Sequence, residues 1–392
     1  MSTIVNAKTK QRRGTELSIP TLLAGELYLP TDKRKIYKGT STGNVLVGDM
    51  DLTDKNTGDI AKIGNKNYCI NGNFDIWQRG ASFTNPISST QFTADRFLAS
   101  ANISGTSPTN LIHSKISMTG EIDGTTTAYR FSSDGSGVLN SGDFYRVMHA
   151  IENGTRKLCG NGKKITVSFW ARSSIANKKI GIYGIQNYGT GGSPSTSEIL
   201  QGKNVVLTNT WQKITHTFNT NTLIGKTFGT NIDDNFRLCF MYAYGVTLAT
   251  NVNDTVGETF GGTGTIDIAQ IKIESGDVVT PFVPLSVGEE LKMCQRYFET
   301  SVTPYLKNLS IALRMITGIP FTVTKRVNPN IKIFGANTGV LGKVMNVSGV
   351  DVGTNIIASS DIYAITQVNS DVDLAGTVGD YRFRYEADSE IY

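Results

Sequence analysis

The 392-residue chain carries 38 Lys and Arg against 33 Asp and Glu, a net charge of +5, with 41 glycines and only 18% charged residues. So mild and scattered a charge argues against a nucleic-acid surface. Abundant Gly, Asn, Ser and Thr argue against long helices and for short strands joined by turns. No stretch approaches the roughly 20 apolar residues of a membrane span, so membrane insertion is not expected, and the length predicts two or three domains.

Residues 1–20 are polar and basic, read as extended chain without the apolar run of a secretion signal. GELYLPTDKRKIYKGTSTGNVLVGD then predicts short strands at Glu26–Leu29, Lys35–Lys38 and Asn44–Val47, with Lys33-Arg34-Lys35 as a solvated turn. This module, residues 1–50, is too small for its own core and needs a partner chain or repeated copies to cover Leu27, Leu29, Ile36 and Tyr37. Residues 51–66 read as a linker.

From 67 to 285 the pattern is β. In KKITVSFWARSS, Ile165, Val167, Phe169 and Ala171 alternate with Thr166, Ser168, Trp170 and Arg172, the period of a half-buried strand. FRLCFMYAY puts Phe236, Leu238, Phe240, Tyr242 and Tyr244 on one face, and WQKITHTF does the same for Ile214, His216 and Phe218. In TIDIAQIKIE the apolar phase slips between Ile268 and Ile271, which predicts a bulge or a strand buried on both faces. Many short antiparallel strands with Gly/Asn turns predict a jelly-roll β-sandwich.

A connecting helix is expected over 286–300. Ser286 and Glu289 form a capping box, and Val287, Leu291, Cys294 and Phe298 form an apolar stripe that packs on the sandwich or on copies in an oligomer. Residues 301–392 return to strands, SIALRMITGI, FTVTKRV, IKIFGA, IYAITQV and YRFRYEA, as a smaller C-terminal β domain. The fold class is mainly β.

Signs of catalysis are weak. His113, His149 and His216 have no triad partners in sequence, and His216 reads as an interior or edge histidine. Paired carboxylates for glycan cleavage are not identifiable among Asp75, Asp95, Asp233, Asp234 and Glu274. The pieces YGTGGSPS and FGGTGTID lack the following Lys-Ser/Thr of a phosphate loop and read as sandwich loops. Cys69, Cys159, Cys239 and Cys294 are far apart, form no metal cluster and read as small buried hydrophobes. Asp75 and Asp267 either hold a structural calcium or are turn and edge aspartates, so no metal and no cofactor is assigned. Trp170, on the polar face with Arg172, either stacks on a sugar ring or is covered by a loop or neighbouring chain. With Tyr188, at the start of a long loop, these two make the candidate ligand-binding set.

NGNFDIWQRGASF, FTADRF, KITVSFWARS, IYGIQNYGTGGSPSTSE, TNTWQKITHTF, GKTFGTN and IKIESGDVVTPFVPLSVGEELKMCQRYFE, in that order, resemble the β-sandwich domain of bacteriophage tail fibre and receptor-binding proteins. YRFRYEADSEIY is similar to the acidic tail that ends such proteins, and the N-terminal module resembles a virion-proximal repeat. The resemblance implies a non-enzymatic homotrimer on the virion, joined to other virion proteins through its N-terminal module and contacting host surface glycans. The sandwich resembles carbohydrate-binding modules of jelly-roll type. A head or collar fibre or a capsid decoration protein is the alternative, and a polysaccharide depolymerase a further one. Trp77, Arg79, Asp95 and Arg96 are then expected at a structural junction, with charge-assisted Arg–Asp bonds fixing it. Val287, Leu291, Cys294 and Phe298 are expected at the trimer interface.

Overall fold

The structure, a computed structural model, describes residues 66–84, 90–301, 305–309, 314–353, 356–369 and 379–391, together with the strands of the first 50 residues. The chain divides into two units, Met1–Lys66 and Asn67–Tyr392. In the first, β1 (Gln11–Gly14), β2 (Leu27–Pro30), β3 (Lys35–Thr40) and β4 (Gly43–Asp49) form one sheet in sequence order. β1 lies in the segment expected to be merely extended, and it pairs in parallel with β2. The side chains of Leu27, Leu29, Ile36 and Tyr37 and residues 51–65 of the expected linker lie outside the described residues.

The second unit opens with twelve strands: β5 (Ser82–Thr84), β6 (Gln91–Phe92), β7 (Phe97–Asn102), β8 (Leu111–Ser117), β9 (Thr127–Asp134), β10 (Phe144–Glu152), β11 (Lys164–Ser173), β12 (Lys179–Asn187), β13 (Glu198–Val206), β14 (Gln212–Asn219), β15 (Asn235–Tyr244) and β16 (Thr263–Ser275). They build two antiparallel sheets, ordered β13-β12-β15-β10-β7-β6 and β14-β11-β16-β9-β8-β5. This is a jelly-roll sandwich. Ile165, Val167, Phe169 and Ala171 all enter its core with Phe236, Leu238 and Phe240, and Phe169 meets Phe240 edge to face at 5.1 Å.

Two bulges explain where simple alternation fails. Against β10, the register of β15 shifts beside Tyr145 and Arg146, so Ala243 stays in the core while Tyr244 turns to the outer face with Cys239 and Met241. Tyr244 therefore does not share the face of Phe236. In β16 the register shifts opposite Ser168 and Trp170, and Gln270 takes φ 49°. That bulge returns Ile271 and Ile273 to the core side of Ile266 and Ile268.

Among the described residues, the short α-helices α1 (Gly154–Leu158) and α2 (Val246–Ala249) precede α3 (Val287–Gln295). The Ser286–Glu289 capping box is present. The helix ends earlier than its apolar stripe, because Phe298–Thr300 leave it as β17 and pair with the last strand, β25 (Gly379–Asp388). Cys294 and Phe298 are buried within the chain, whereas Val287 is exposed and Leu291 half-buried. Only the N-terminal end of the stripe thus remains open.

Between β17 and β25 run β18 (Tyr305–Leu309), β19 (Arg314–Pro320), β20 (Asn330–Gly335), β21 (Val344–Met345), β22 (Asp351–Val352), β23 (Ile357–Ser360) and β24 (Ala364–Asn369). β17, β18, β20 and β21 all pair with β25, while β19, β24 and β23 form a three-stranded sheet. Their core holds Ile333, Val344, Ile365, Val368 and Phe383. FTVTKRV is not a strand. Lys325 is buried there, and its ammonium bonds the Glu299 carboxylate at 2.6 Å and the Gln295 carbonyl at 2.5 Å, which bends the segment inward.

At the start of the sandwich, Gly72 accepts a hydrogen bond from Ile271 N at 2.8 Å, and a Cβ on Gly72 would stand 2.2 Å from the Ile271 carbonyl oxygen. Gly72→Ala is expected to destabilise the protein by about 1–3 kcal/mol through overpacking. Urea denaturation should show a lower midpoint at constant slope, and an unchanged midpoint would mean that this approach does not constrain the fold.

Candidate functional site

The opening NGN turn is a hydrogen-bond hub. Asn71 takes φ 61°, its amide donates to the carbonyls of Ile76 at 2.8 Å and Asp95 at 3.0 Å, and its Oδ1 accepts from Ile76 N at 3.0 Å. Trp77 is held by its Nε1–H on the Phe74 carbonyl at 2.8 Å and stacks on Tyr129 at 5.4 Å. It packs on the sandwich's own core. Gln78 donates to both Asp95 oxygens, at 2.9 and 2.5 Å, and to the Phe298 carbonyl at 2.8 Å.

The two arginines do not bond Asp95 directly. They reach the C-terminal tail. Arg79 lies 3.5 Å over the Phe298 ring and faces Glu390 at 3.4 Å and Asp388 at 3.5 Å. Arg96 is fully buried, sits 3.5 Å over the Tyr297 ring, donates to the Ala150 carbonyl at 2.6 Å and pairs with Glu390. Burial alone would lower the Arg96 guanidinium, but Glu390 beside it holds it above its ordinary value. Arg326 donates to the carbonyls of Ser389 and Glu390, both at 2.8 Å, and Arg296 pairs with Glu152 at 2.8 Å. The junction therefore joins the sandwich to the tail of the same chain. Segments far apart in sequence, 71–79, 95–96, 150–152, 296–298, 326 and 388–390, meet there. Sequence reading missed Glu390 and Asp388, although two acidic tail residues facing two turn arginines were a usable charge signal.

A second cluster occupies the outer face of the β14-β11-β16-β9-β8-β5 sheet. Cross-strand register places Arg172 of β11 opposite Asp267 of β16, and Asp267 opposite Arg130 of β9. Asp267 is buried and accepts from Arg172 Nε at 2.9 Å and from Arg130 Nε at 2.7 Å. The Arg172 guanidinium lies 4.6 Å over the Trp211 ring. Trp170 and Trp211, both half-buried, pack on Met118, Ile122, Ala128 and Ala269. The buried Trp211 Nε1–H has no partner. The face thus combines two indole surfaces, two half-exposed guanidiniums and a fixed carboxylate. Trp211 and Arg130 belong to it although only Trp170 and Arg172 were anticipated. Alternation identifies Arg130 only once Asp267 is placed on the same face.

Tyr188 does not join this face. It immediately follows β12, in the other sheet, is buried, and its hydroxyl donates to Glu198 at 2.5 Å, itself paired with Lys226 at 2.5 Å. It anchors a loop, because a phenol beside a buried-edge ion pair is better satisfied inside than in solvent. Asp75 accepts from Thr127 at 2.9 Å and Asn73 at 3.0 Å, while Asp267 is bracketed by guanidiniums, which repel a cation. Among the described residues no grouping of three His, Cys, Asp or Glu could hold a metal ion.

The histidines are packing groups. His113 lies between the Tyr129 and Tyr145 hydroxyls, and His149 contacts the Ile70 carbonyl at 3.1 Å. Burial lowers each to about 3, with the Arg96 charge adding to the effect at His149. Half-buried His216 meets the Gln201 carbonyl at 3.3 Å. All four cysteines are free and buried.

No family model matches the chain, and no curated protein matches it. Among solved structures, it is similar to the enzymatically active domain of tailspike protein 4 from bacteriophage CBA120, with 13% identity and a TM-score of 0.28 over 46% of this chain and 19% of that one. The N-terminal cellulose-binding domain of Cellulomonas fimi β-1,4-glucanase C gives 14% identity and a TM-score of 0.28 over 50% of this chain and 99% of that one. The family 11 carbohydrate-binding module from Clostridium thermocellum, in complex with a β-1,3-1,4-mixed-linked tetrasaccharide, gives 11% and 0.27 over 50% and 96%.

Two predictions follow from this geometry. Glu390→Ala would leave Arg96 buried without its counter-charge and should cost about 3–5 kcal/mol of stability, measured by chemical denaturation. Wild-type stability in that variant would show that the tail does not secure the junction. Separately, unfolded His113 and His149 would take up protons near 6.5, but the folded ones only near 3. Stability is therefore present above 6.5 and lost as pH falls, by roughly 1.4 kcal/mol per pH unit for each histidine. His113→Phe should flatten the pH 7-to-5 loss of denaturation free energy by about half, and an unchanged slope would contradict the assignment.

Proposed function

We propose that this chain is a structural, non-enzymatic fibre protein of a bacteriophage virion, a homotrimer attached through its N-terminal module, whose sandwich binds host surface glycans. The observation that carries the glycan part is the Trp170–Trp211 surface beside the Arg172–Asp267–Arg130 row. Sugar recognition needs a flat apolar face for the axial C–H side of the ring and fixed polar groups for its hydroxyls. Trp170, Arg172, Asp267 and Arg130 are held on β-strands and Trp211 immediately precedes β14, so little ordering is required on binding. The buried Asp267 carboxylate holds the two arginines in place, and the half-exposed guanidiniums retain outward N–H donors. The virion part rests on the order of the sequence motifs. Part of that set, NGNFDIWQRGASF, FTADRF, the CQRYFE segment and the YRFRYEADSEIY tail, meets at the junction, which supports it. Three copies would multiply a weak single-site affinity through avidity.

A glycan array with the full-length protein tests the binding surface. Trp170→Ala should weaken binding of any retained glycan by about tenfold, with the unfolding midpoint checked in parallel. Undiminished binding in a folded variant would remove this face from the reading. Gold-labelled antibody on intact virions tests the placement. Label at the tail supports host attachment, label on the capsid or collar replaces it with a head-fibre role, and no label rejects the virion reading. Clearing of a purified capsular polysaccharide would reject the non-enzymatic assignment.

A further inference from the structure

In β25, Tyr381, Phe383, Tyr385 and Ala387 enter the core of the C-terminal β domain, which leaves Arg384 and Glu386 together on the other face of the strand. Cross-strand register sets Phe334 of β20 opposite Arg384, and Thr300 of β17 opposite Glu386. A cleft of about 330 Å³ opens to solvent there, lined by Thr300, Ser301, Phe334, Gly339, Arg384 and Glu386, all of them half-buried. Its two charged groups are lightly engaged. The Arg384 guanidinium donates to the Gly335 carbonyl at 3.5 Å, and its Nε–H has no partner. Asp351 accepts from Thr338 N at 2.7 Å and Asn337 N at 3.2 Å, and lies within electrostatic reach of that guanidinium without pairing with it. Glu386 meets Lys332 at 3.9 Å, a solvent-exposed contact of little strength. Gly339, at φ 72°, lets the β20–β21 connection close on the guanidinium, since a Cβ there would stand 2.7 Å from Arg384 Nη2. Ser301 Oγ accepts from Tyr385 N at 2.8 Å and keeps its own proton to donate.

Arg384 and Glu386 stand two residues apart on one strand face, roughly 7 Å along it. One supplies fixed N–H donors and the other charged acceptors, and a pair of neighbouring sugar hydroxyls uses both. Phe334 adds an apolar ring for the C–H side of the sugar. The two lining charges are of opposite sign, so the cleft does not select for an anion, and Glu386 works against a ligand carboxylate. The volume lies at the low end of the roughly 300–1,000 Å³ of small-molecule sites, room for a short saccharide rather than a long chain. We propose that this cleft binds a neutral saccharide unit of a surface polysaccharide, with Arg384 donating to its hydroxyls and Glu386 accepting from them. This rests on the glycan-binding reading above and adds a second site, on the C-terminal β domain rather than on the sandwich. Two weak sites on one chain strengthen the hold on a polymer that repeats its units.

The test is a titration of the full-length protein, followed by saturation-transfer NMR, with the methyl glycosides of glucose, galactose, mannose and N-acetylglucosamine, and with methyl glucuronide as the acidic probe. At least one neutral glycoside should bind wild type, and more tightly than the glucuronide. Glu386→Gln and Phe334→Leu should each weaken it about tenfold, through loss of a charge-assisted hydrogen bond in the first and of the aromatic face in the second. Glu386 is half-exposed and weakly paired, so its variant should keep the wild-type urea midpoint and decides the test if Phe334→Leu lowers that midpoint. No neutral glycoside bound, the glucuronide bound as tightly as the neutral glycosides, or wild-type binding by folded Glu386→Gln overturns the proposal. A sugar kept by Trp170→Ala and lost by Glu386→Gln belongs to this cleft. A sugar lost by Trp170→Ala and kept by Glu386→Gln removes the cleft and leaves the glycan reading standing. If no glycoside binds wild type and the glycan array is also blank, both fail.

Discussion

The buried carboxylate of Glu390, between Arg96 and Arg79, fixes where the last strand ends relative to the sandwich. A buried ion pair is weak evidence for net stability, since desolvation of both charges offsets most of their attraction. Its effect is geometric. The Arg96 guanidinium can be neutralised only if the tail enters between Tyr297 and Ala150, so alternative placements of the tail strand a charge in the interior. Arg96 also holds φ 72°, an uncommon conformation for a residue with a side chain, and the bonds around it over-determine that turn. Thr93 N reaches the Phe97 carbonyl and Phe97 N the Ala94 carbonyl, both at 2.9 Å, which closes the turn from either side.

The rest of the second unit follows from that placement. Phe298 and Tyr297 serve at once as rings under Arg79 and Arg96 and as the exit of α3 into β17. β17 is held to β25, and β25 is the strand on which β18, β20 and β21 also pair. A chain segment with so many duties has one compatible path. Ser389 reinforces it, with its hydroxyl on the Arg296 carbonyl at 3.0 Å and its N–H on the Tyr297 carbonyl at 2.8 Å. The sandwich and the C-terminal sheets are therefore joined through specific bonds as well as through a peptide connection.

Much of the sandwich was legible because period-two alternation is strong where one face is buried. β11 follows its pattern from Ile165 to Arg172. What escaped reading was whatever depends on a partner strand. The β15 bulge reverses Tyr244 although FRLCFMYAY alternates cleanly, since the extra residue is defined only against β10. FTVTKRV looks like a strand, but a buried Lys325 with two acceptors outweighs β propensity. Trp170 and Arg172 were assignable to one face from spacing alone, whereas Tyr188 was not, because its fate is decided by Glu198 across the β12–β13 connection. The junction arginines were recognised as structural, but their partners lie some 300 residues away in sequence, and no local rule reaches that far.

The two outer faces of the sandwich solve the same electrostatic problem in different ways. On one, Asp267 lies between Arg130 and Arg172 on three adjacent strands, so one carboxylate serves two guanidiniums and both are fixed by contacts within the protein. On the other, the Arg146 guanidinium lies over the Phe144 ring and donates to the Tyr183 hydroxyl, and Arg237 donates to Asn235 Oδ1 at 2.7 Å. The two faces therefore hold their guanidiniums by different means, a carboxylate shared across three strands on one and a ring, a phenol and an amide on the other.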